Sequence, residues 1–168
     1  MMRREAETTL TVTGDRGTWL MLPYQGGRVA MAVGLPPPGR SVASMLGGLT
    51  APQLAAEFAG MKPEDVAATM PRFRFEKAFP LLETLTDMGL PRGGDFSGVA
   101  PGVGAISAVE HAATIEVNEA GTVATAATAV AMQVSAPPRL TLDRPFAFVI
   151  IDTRTGLLLF LGHVTDPR

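Results

Sequence analysis

Short apolar runs separated by turn residues are the main pattern along this chain. Residues 8–13 alternate polar and apolar side chains, and residues 18–24 and 28–35 are mostly apolar. Runs of this length are typical of β-strands. Gln25-Gly26-Gly27 joins the last two runs with turn-forming residues, which favours a hairpin. The start of the chain therefore predicts a meander of three strands.

Two short helices are predicted after the meander, because Pro36-Pro37-Pro38-Gly39 ends the strand pattern. The first helix begins after Ser41. The second begins after Thr50, where Gln53 stands at the spacing of a capping box. Both are interpreted as minor surface helices.

The second half of the chain alternates between strand candidates and turns. Residues 66–75 and 105–119 are predicted to be extended, and residues 146–152 and 157–164 are predicted to form a terminal hairpin. A helix is predicted over residues 80–90, because its apolar residues share one face. Those residues are Leu81, Leu82, Leu85 and Met88. The expected fold class is α+β and multi-sheet, strand-rich with a few short helices and mainly antiparallel β-sheets.

The charge balance argues against a nucleic-acid partner. The 168 residues include 14 Lys and Arg against 16 Asp and Glu, which gives a formal net charge of -2. The arginines are scattered, so no basic run could follow a phosphate backbone. Hydrophobic residues make up 46% of the chain and charged residues 18%, so we expect a sizeable core that includes Trp19, the only tryptophan.

A membrane span and a disulfide are not expected either. The most apolar stretch, residues 145–162, is interrupted by Asp152, Arg154 and Gly156, and no run is long enough for a membrane-spanning helix. The first residues carry basic side chains without an apolar stretch behind them, so no signal peptide is visible. Cysteine is absent, so neither a disulfide nor a thiolate metal site can form.

Other chemistry has little support in the sequence. His111 and His163 are the only histidines and no paired acidic motif accompanies them, so no metal site is predicted. Ser97 lacks the Gly-x-Ser-x-Gly context of a hydrolase nucleophile. Gly102 and Gly104 lack the third glycine of a nucleotide-binding loop. We therefore expect no catalytic residue, no cofactor and no metal.

One uncharged segment does not fit an ordinary loop. Residues 120–138 contain no charged side chain, and the segment is composed mainly of Ala, Thr and Val with a single Gly. A linker is usually rich in Gly and Ser, in Pro or in charge, whereas residues 122–130 combine small side chains with high β-propensity. Such a segment could remain an exposed loop or join a sheet as a strand. Composition leaves a linker and a conformational switch both open.

The sequence on both sides of this segment resembles the serpin family of serine protease inhibitors. Residues 115–122 (IEVNEAGT), with the small residues that follow, are similar to the serpin hinge, and residues 140–150 (LTLDRPFAFVI) are similar to the family signature. Shorter motifs occur in the order of the family. They are Leu22-Pro23-Tyr24, Met70-Pro71-Arg72-Phe73, Asp95-Phe96-Ser97-Gly98, Ile106-Ser107 with His111, and Leu159-Phe160-Leu161-Gly162-His163-Val164.

The resemblance implies a partial serpin fold in which residues 1–168 match the C-terminal part of the serpin domain. The N-terminal helical half and the central strands of the large sheet are expected to be absent. Residues 120–138 would be the reactive centre loop. In this family the loop is a suicide substrate: a serine protease forms an acyl-enzyme on it, and the cut loop inserts into the large sheet as a strand. The chain would be an inhibitor and not an enzyme.

The same resemblance implies roles for residues of the loop. The hinge is expected at a set of mostly small residues: Glu119, Gly121, Thr122, Ala124, Ala126 and Thr128. Gly121 would be the pivot, and the last four would face into the sheet. Counting from the hinge puts the cut at Ser135-Ala136, whereas counting back from Pro145-Phe146 puts it at Val134-Ser135. Either bait is small and uncharged, which favours an elastase-like or subtilisin-like protease over a trypsin-like one.

The resemblance also suggests contacts and a location. Arg72 is expected to pair with Glu119 at the mouth of the opening sheet, contributing on the order of 1 kcal/mol or less because the pair would be partly exposed. An open strand edge along residues 106–119 would favour self-association. The family resemblance favours an extracellular location, and a cytoplasmic one stays open because no signal peptide is visible.

Alternatives to an inhibitor remain at this level. The chain could be a non-inhibitory serpin-like binding or structural module, or an inactive truncated fragment. It could also belong to a longer coding region whose start is misplaced, which the stretch upstream of Met1 would settle. A boiling-resistant complex with elastase or subtilisin would separate the inhibitor from the binding module.

Limited proteolysis tests the loop assignment. Elastase should cut first between Val130 and Pro138, because this uncharged segment lies between well-patterned strands and exposed loop tips are preferred sites of nicking. Mass spectrometry of the earliest fragments identifies the bond. First cuts within residues 36–44 or 92–98 would count against the assignment.

Overall fold

The computed structural model describes residues 1–98, 102, 104–118 and 137–167. The chain forms two compact units, one of Met1–Arg72 with Val117–Arg168 and the other of Phe73–Glu116. In chain order the first unit contains β1 (Met2–Gly14), β2 (Gly17–Pro23), β3 (Val29–Leu35), α1 (Val42–Leu46), α2 (Ala51–Ala59), β4 (Lys62–Met70), β7 (Arg139–Thr141), β8 (Phe146–Asp152) and β9 (Leu158–Val164). The second contains β5 (Phe73–Pro80), α3 (Leu82–Asp87) and β6 (Glu110–Val117). Within the described ranges, no helix has the length and apolar character to cross a membrane.

The first unit is built on a seven-stranded sheet in the order β7-β4-β1-β2-β3-β8-β9. Neighbouring strands are antiparallel except β7, which pairs parallel with β4. Both predicted hairpins are confirmed, since β2 pairs with β3 and β8 pairs with β9. β1 is longer than the strand predicted over residues 8–13, and a bulge between Arg4 and Glu7 interrupts its pairing with β4.

The central strands of this sheet are buried on both faces, which explains their continuous apolar sequences. Every residue of β8 is buried, as is every residue of β3 after the first. On one face, Trp19 and Val149 belong to a core cluster that also contains helix residues. On the other face, Val33 and Phe148 are buried as well. Strands of this kind can occupy only central positions in a sheet.

The two short helices keep exposed residues, as expected of surface helices, and each also contributes buried residues to the core. α2 begins with the predicted capping box of Thr50 and Gln53. Val42 and Met45 of α1 and Leu54 of α2 are buried in the core cluster. The sequence does not predict this burial, since each helix has only a few apolar residues. At helical spacing, however, a few apolar residues are enough to cover part of a sheet face.

The second unit contains a two-stranded sheet of β5 and β6. The extended run predicted over residues 66–75 divides near Pro71 into β4 and β5, which belong to different sheets. The strand predicted over residues 105–119 is shorter, since β6 covers Glu110–Val117. α3 is also shorter than predicted, and none of its residues is buried. The apolar face expected for this helix is therefore only partly covered: Leu82 and Leu85 are half-buried and Met88 is exposed.

Two aromatic rings lie directly on glycines of neighbouring strands. The strand register pairs Trp19 with Gly34 and Phe148 with Gly162. A Cβ at Gly34 would lie 2.6 Å from Cζ3 of Trp19, and one at Gly162 would overlap Cζ of Phe148. The rings therefore occupy the space that a side chain would need. Trp19 also packs edge-on against Phe58 of α2, with ring centroids 5.4 Å apart.

Asp152 joins the terminal hairpin to the hairpin of β2 and β3. Its Oδ1 accepts hydrogen bonds from the backbone N–H groups of Arg154 and Thr155, both at 3.0 Å, and its Oδ2 accepts one from Nε of Arg28 at 3.1 Å. The backbone N–H of Thr153 donates to the carbonyl of Arg28 at 2.8 Å. The N–H of Thr155 lowers the pKa of the Asp152 carboxyl, and Arg28 and the N–H of Arg154 add to this effect.

Gly34→Ala should lower the free energy of unfolding by about 1–3 kcal/mol, the usual cost of overpacking a core. The added methyl group would collide with Trp19, which is itself fixed against Phe58. Gly14→Ala is the matched control, because Gly14 also lies in a strand and no atom comes within 4 Å of its Cβ position. Urea unfolding followed by circular dichroism measures both variants. Equal stabilities would contradict this steric account.

Asp152→Asn should lower the free energy of unfolding at neutral pH, and the difference from the native protein should shrink in acid. Because the pKa of Asp152 is lowered in the folded protein, its carboxylate stabilises the fold above about pH 4, the ordinary carboxyl pKa. This stabilisation is lost as the pH falls through the folded pKa. Urea unfolding from about pH 7 to about pH 3 measures it, with the exposed Asp87→Asn as the control. A difference that does not change with pH would refute the role of this charge.

Candidate functional site

Most of the predicted reactive centre loop lies outside the described residues. Residues 119–136 are among those that the structure does not describe. The expected hinge lies there, and it comprises Glu119, Gly121, Thr122, Ala124, Ala126 and Thr128. Both candidate cut sites, Ser135-Ala136 and Val134-Ser135, also lie there, so these assignments stay predictions. The structure does describe the segments that carry the two ends of the loop, namely β6 and β7.

β6 leads into the loop. It pairs with β5, and among the described strands none lies along its other edge. The N–H of Leu81 donates to the carbonyl of Val109 at 2.8 Å, which holds the residue just before the strand. Most residues of β6 are exposed or half-buried, and the strand ends on buried Val117. β6 therefore offers a row of backbone N–H and C=O groups to which a further strand can add.

An exposed ion pair connects β5 and β6. Nη1 of Arg74 lies 3.9 Å from Oε2 of Glu116, and the two side chains are 69% and 54% exposed. The sequence predicts a different pair on the same segments, Arg72 with Glu119. Arg72 is exposed between β4 and β5, while Glu119 lies outside the described residues, so that pair stays a prediction.

The other end of the loop is tied to the seven-stranded sheet. β7 is three residues long and runs parallel to β4, with Ala67 opposite Arg139. The N–H of Ala67 donates to the carbonyl of Pro138 at 3.0 Å. The N–H of Leu142 donates to the carbonyl of Thr69 at 2.8 Å. Backbone hydrogen bonds therefore hold the chain on both sides of this short strand.

Buried side chains fix the chain directly after β7. Leu142 is 2% exposed and Phe146 is fully buried. Between them, Nη1 of Arg144 donates to the carbonyl of Pro36 at 2.5 Å. All three residues lie in the stretch that resembles the family signature, and the sequence alone gave no indication of these contacts. These contacts therefore hold in place the residues that follow the loop on its carboxyl side.

The described residues bring together no set of side chains suited to catalysis or metal binding. No group of three or more His, Asp or Glu residues among them could hold a metal ion. His111 and His163 are both exposed. The hydroxyl and the N–H of Ser97 lower the pKa of Asp95, whose Oδ1 accepts from that N–H at 3.0 Å, so this pair stabilises a turn. Among the described strands, this region instead offers backbone hydrogen-bonding groups: β6 has a neighbour on one edge only, and β7 is anchored to β4.

Comparison with known proteins covers nearly the whole chain. A protein-family model described as Serpin (serine protease inhibitor) matches residues 1–167. An uncharacterized serpin-like protein of Thermococcus kodakarensis is 39% identical over 159 residues, which are 89% of this chain and 37% of that protein. Heparin cofactor 2 of Homo sapiens is 35% identical over 153 residues, which are 88% of this chain and 30% of that protein.

Solved structures are similar over the same extent. Tengpin, a thermophilic serpin in its native state, superposes with a TM-score of 0.78 at 29% identity, over 98% of this chain and 45% of that chain. Thyroxine-binding globulin in complex with thyroxine superposes with a TM-score of 0.79 at 25% identity, over 97% of this chain and 45% of that chain. The chain spans less than half the length of each of these proteins.

Proposed function

The chain belongs to the serpin family, and we propose that it works as the C-terminal part of a serpin that inhibits a serine protease. Residues 120–138 are its reactive centre loop in this proposal. The main support is the arrangement of strands at the two ends of the loop. An exposed strand precedes it, with a neighbour on one edge only among the described strands, and a strand fixed to a separate sheet follows it. This arrangement is required if the loop, once cut, is to be added as a strand to the sheet that contains β6.

The proposed reaction is an arrested proteolysis. The serine oxygen of the protease attacks the carbonyl carbon of Ser135, the bond to the nitrogen of Ala136 breaks, and that nitrogen leaves with a proton. An ester then joins Ser135 to the protease. The hinge enters the sheet beside β6 and carries the protease with it before water hydrolyses the ester. Inhibition depends on strand insertion being faster than hydrolysis. With the alternative register, the ester forms on Val134.

The composition of the hinge supports insertion beside β6. A new strand places every second side chain against the same sheet face. The four residues assigned to that face are all small: Thr122, Ala124, Ala126 and Thr128. Insertion would form a ladder of backbone hydrogen bonds along the edge of β6 that no other described strand occupies.

The bait residues support the choice of protease. Residues 120–138 contain no Lys or Arg, so a protease with an acidic specificity pocket gains no ion pair from them. We therefore propose an elastase-like or subtilisin-like target. The pairing of Arg72 with Glu119 at the entry of the hinge is part of the proposal. So is an extracellular location, which rests on the family resemblance alone.

A non-inhibitory binding module is the second candidate, and one cavity supports it. A cavity of about 330 Å³ lies between α2 and the seven-stranded sheet, with apolar walls that include Met21, Phe58, Ile151 and Leu158. A small apolar molecule is the ligand class that suits such walls. Thyroxine-binding globulin, one of the structural relatives, was solved in complex with thyroxine. An inactive fragment is the remaining alternative.

The isolated chain tests whether these residues are sufficient for inhibition. We expect elastase to cut it at Ser135-Ala136 without forming a stoichiometric, boiling-resistant complex. The reason is that an inserting strand needs a neighbour on each side, and the described sheet offers only β6. Denaturing gels and an inhibition titration measure the outcome. A monomeric chain that traps elastase one to one would show that the half-fold is enough.

A loop graft separates the chemistry of the loop from the missing strands. Residues 119–138 would replace the reactive centre loop of a complete inhibitory serpin, and we expect a boiling-resistant complex with elastase or subtilisin. Thr122→Arg in the graft should turn the inhibitor into a cleaved substrate, because the inserting face cannot bury an unpaired charge. Val123→Arg, on the opposite face, is the matched control and should still inhibit. A graft that is cleaved without a complex would favour the binding module.

A further inference from the structure

Arg139 is the first charged residue on the carboxyl side of the proposed loop. Residues 120–138 carry no charge, and both candidate bonds, Ser135-Ala136 and Val134-Ser135, lie within them. A polypeptide spans at most about 3.6 Å per residue, whatever its conformation. The Cα atom of Arg139, four positions after Ser135, is therefore at most about 14 Å from that of Ser135. The alternative bond adds only one residue to this distance, so Arg139 lies close to the cut in either case.

The strand register places Arg139 on the outward face of the seven-stranded sheet. Arg139 of β7 is opposite Ala67 of β4. Val66 and Ala68, the neighbours of Ala67 in the chain, are buried, so Ala67 belongs to the other, outward face of β4. Paired residues share a sheet face, and Arg139 is accordingly exposed. Its guanidinium is therefore carried by a strand that backbone hydrogen bonds hold in place.

Arg139 forms no ion pair with a carboxylate of the described residues. Asp65 lies on the same face of β4, two positions before the partner of Arg139, and its Oδ1 accepts a hydrogen bond from the hydroxyl of Thr8 at 2.5 Å. Arg3 lies on this face as well, because it pairs with Thr69 of β4. The carboxylate that shares the face is thus already engaged, and the guanidinium of Arg139 can bind a group on another molecule.

We propose, on the basis of the proposed function, that Arg139 selects the target protease by pairing with an acidic side chain beside its primed subsites, which hold the residues after the cut. A specific interface covers about 800 Å² on each partner, equivalent to a circular patch with a radius of about 16 Å. A protease centred on the cut therefore reaches Arg139 at the rim of its contact. Charges at the rim of an interface act mainly on the rate of association.

Cleavage removes this contact from the trapped protease. In the proposed mechanism the ester forms on Ser135, which moves with the hinge, whereas Ala136 and Arg139 stay on the side of β7. Arg139 can therefore act only before the bond breaks. It should speed the encounter and contribute nothing to the final complex. A weak, exposed ion pair suits this role, because it does not hold the protease back when the hinge inserts.

The rate of loop cleavage tests this role, because it can be measured whether or not the isolated chain forms a stable complex. The probes are two elastase-like or subtilisin-like proteases, one with acidic and one with basic side chains beside its primed subsites. At about 0.1 M salt, Arg139→Glu should lower the second-order rate constant for the acidic protease by about three- to fivefold and raise it for the basic one. Both effects should shrink at about 1 M salt, where charges are screened beyond about 3 Å.

Arg154→Glu is the matched control, since it makes the same change in net charge. Arg154 is exposed in the turn between β8 and β9. β8 is five strand spacings from β7, about 24 Å along the sheet, well beyond the screening length of about 10 Å at 0.1 M salt. Its rate constants should match those of the native chain, and circular dichroism verifies that both variants fold.

The outcomes separate this role from the proposed function. Equal effects of the two variants, or an effect of Arg139→Glu that has the same sign with both proteases or persists at high salt, would overturn the role of Arg139. The reactive centre loop would stand in that case, provided that mass spectrometry still places the first cut within residues 130–138. First cuts elsewhere would overturn the proposed function together with the role of Arg139.

Discussion

Burial of β2, β3 and β8 on both faces is the constraint on which the first unit depends. A strand that is apolar on both sides needs neighbours along both edges and a layer on each face. β1 and β9 supply the flanking edges, and α1 and α2 cover one face. The contacts of Trp19 with Gly34 and of Phe148 with Gly162 then set the register, since a slip by one residue would place each ring against a side chain.

The two ends of the loop segment are held very differently as a result. The carboxyl end begins on β7, and from there the chain runs through buried Leu142 and Phe146 into β8, an interior strand of the seven-stranded sheet. The amino end leaves from β6, in a two-stranded sheet that is mostly exposed. A mechanism in which the sheet of β6 accepts a new strand while β7 stays in place requires this difference. The serpin family match over residues 1–167 is consistent with it.

The sequence predicts those features that depend on residues close together in the chain. The hairpins and the capping box at Thr50 follow from local periodicity and turn residues. Burial of α1 and α2, the parallel pairing of β7 with β4, and the link between Asp152 and Arg28 depend on contacts between distant segments, and no local pattern encodes them. The residues of the loop alone leave a linker and a switch equally open. Only the resemblance of the flanking residues to a known family suggests that this segment is a reactive centre loop.

β7, β8 and β9 all follow the loop in the chain, yet they belong to the same sheet as four strands that precede it, with β7 paired to β4 and β8 paired to β3. A cut at Ser135-Ala136 would therefore place three of the seven strands, including fully buried β8, on a separate polypeptide. All residues of β8 are buried, and Arg144 and Asp152 bond to Pro36 and Arg28 on the other side of the cut. The two pieces would stay together as long as the sheet is folded. Cleavage would thus convert a single chain into an obligate heterodimer, in which the shorter piece is a subunit and not a released product.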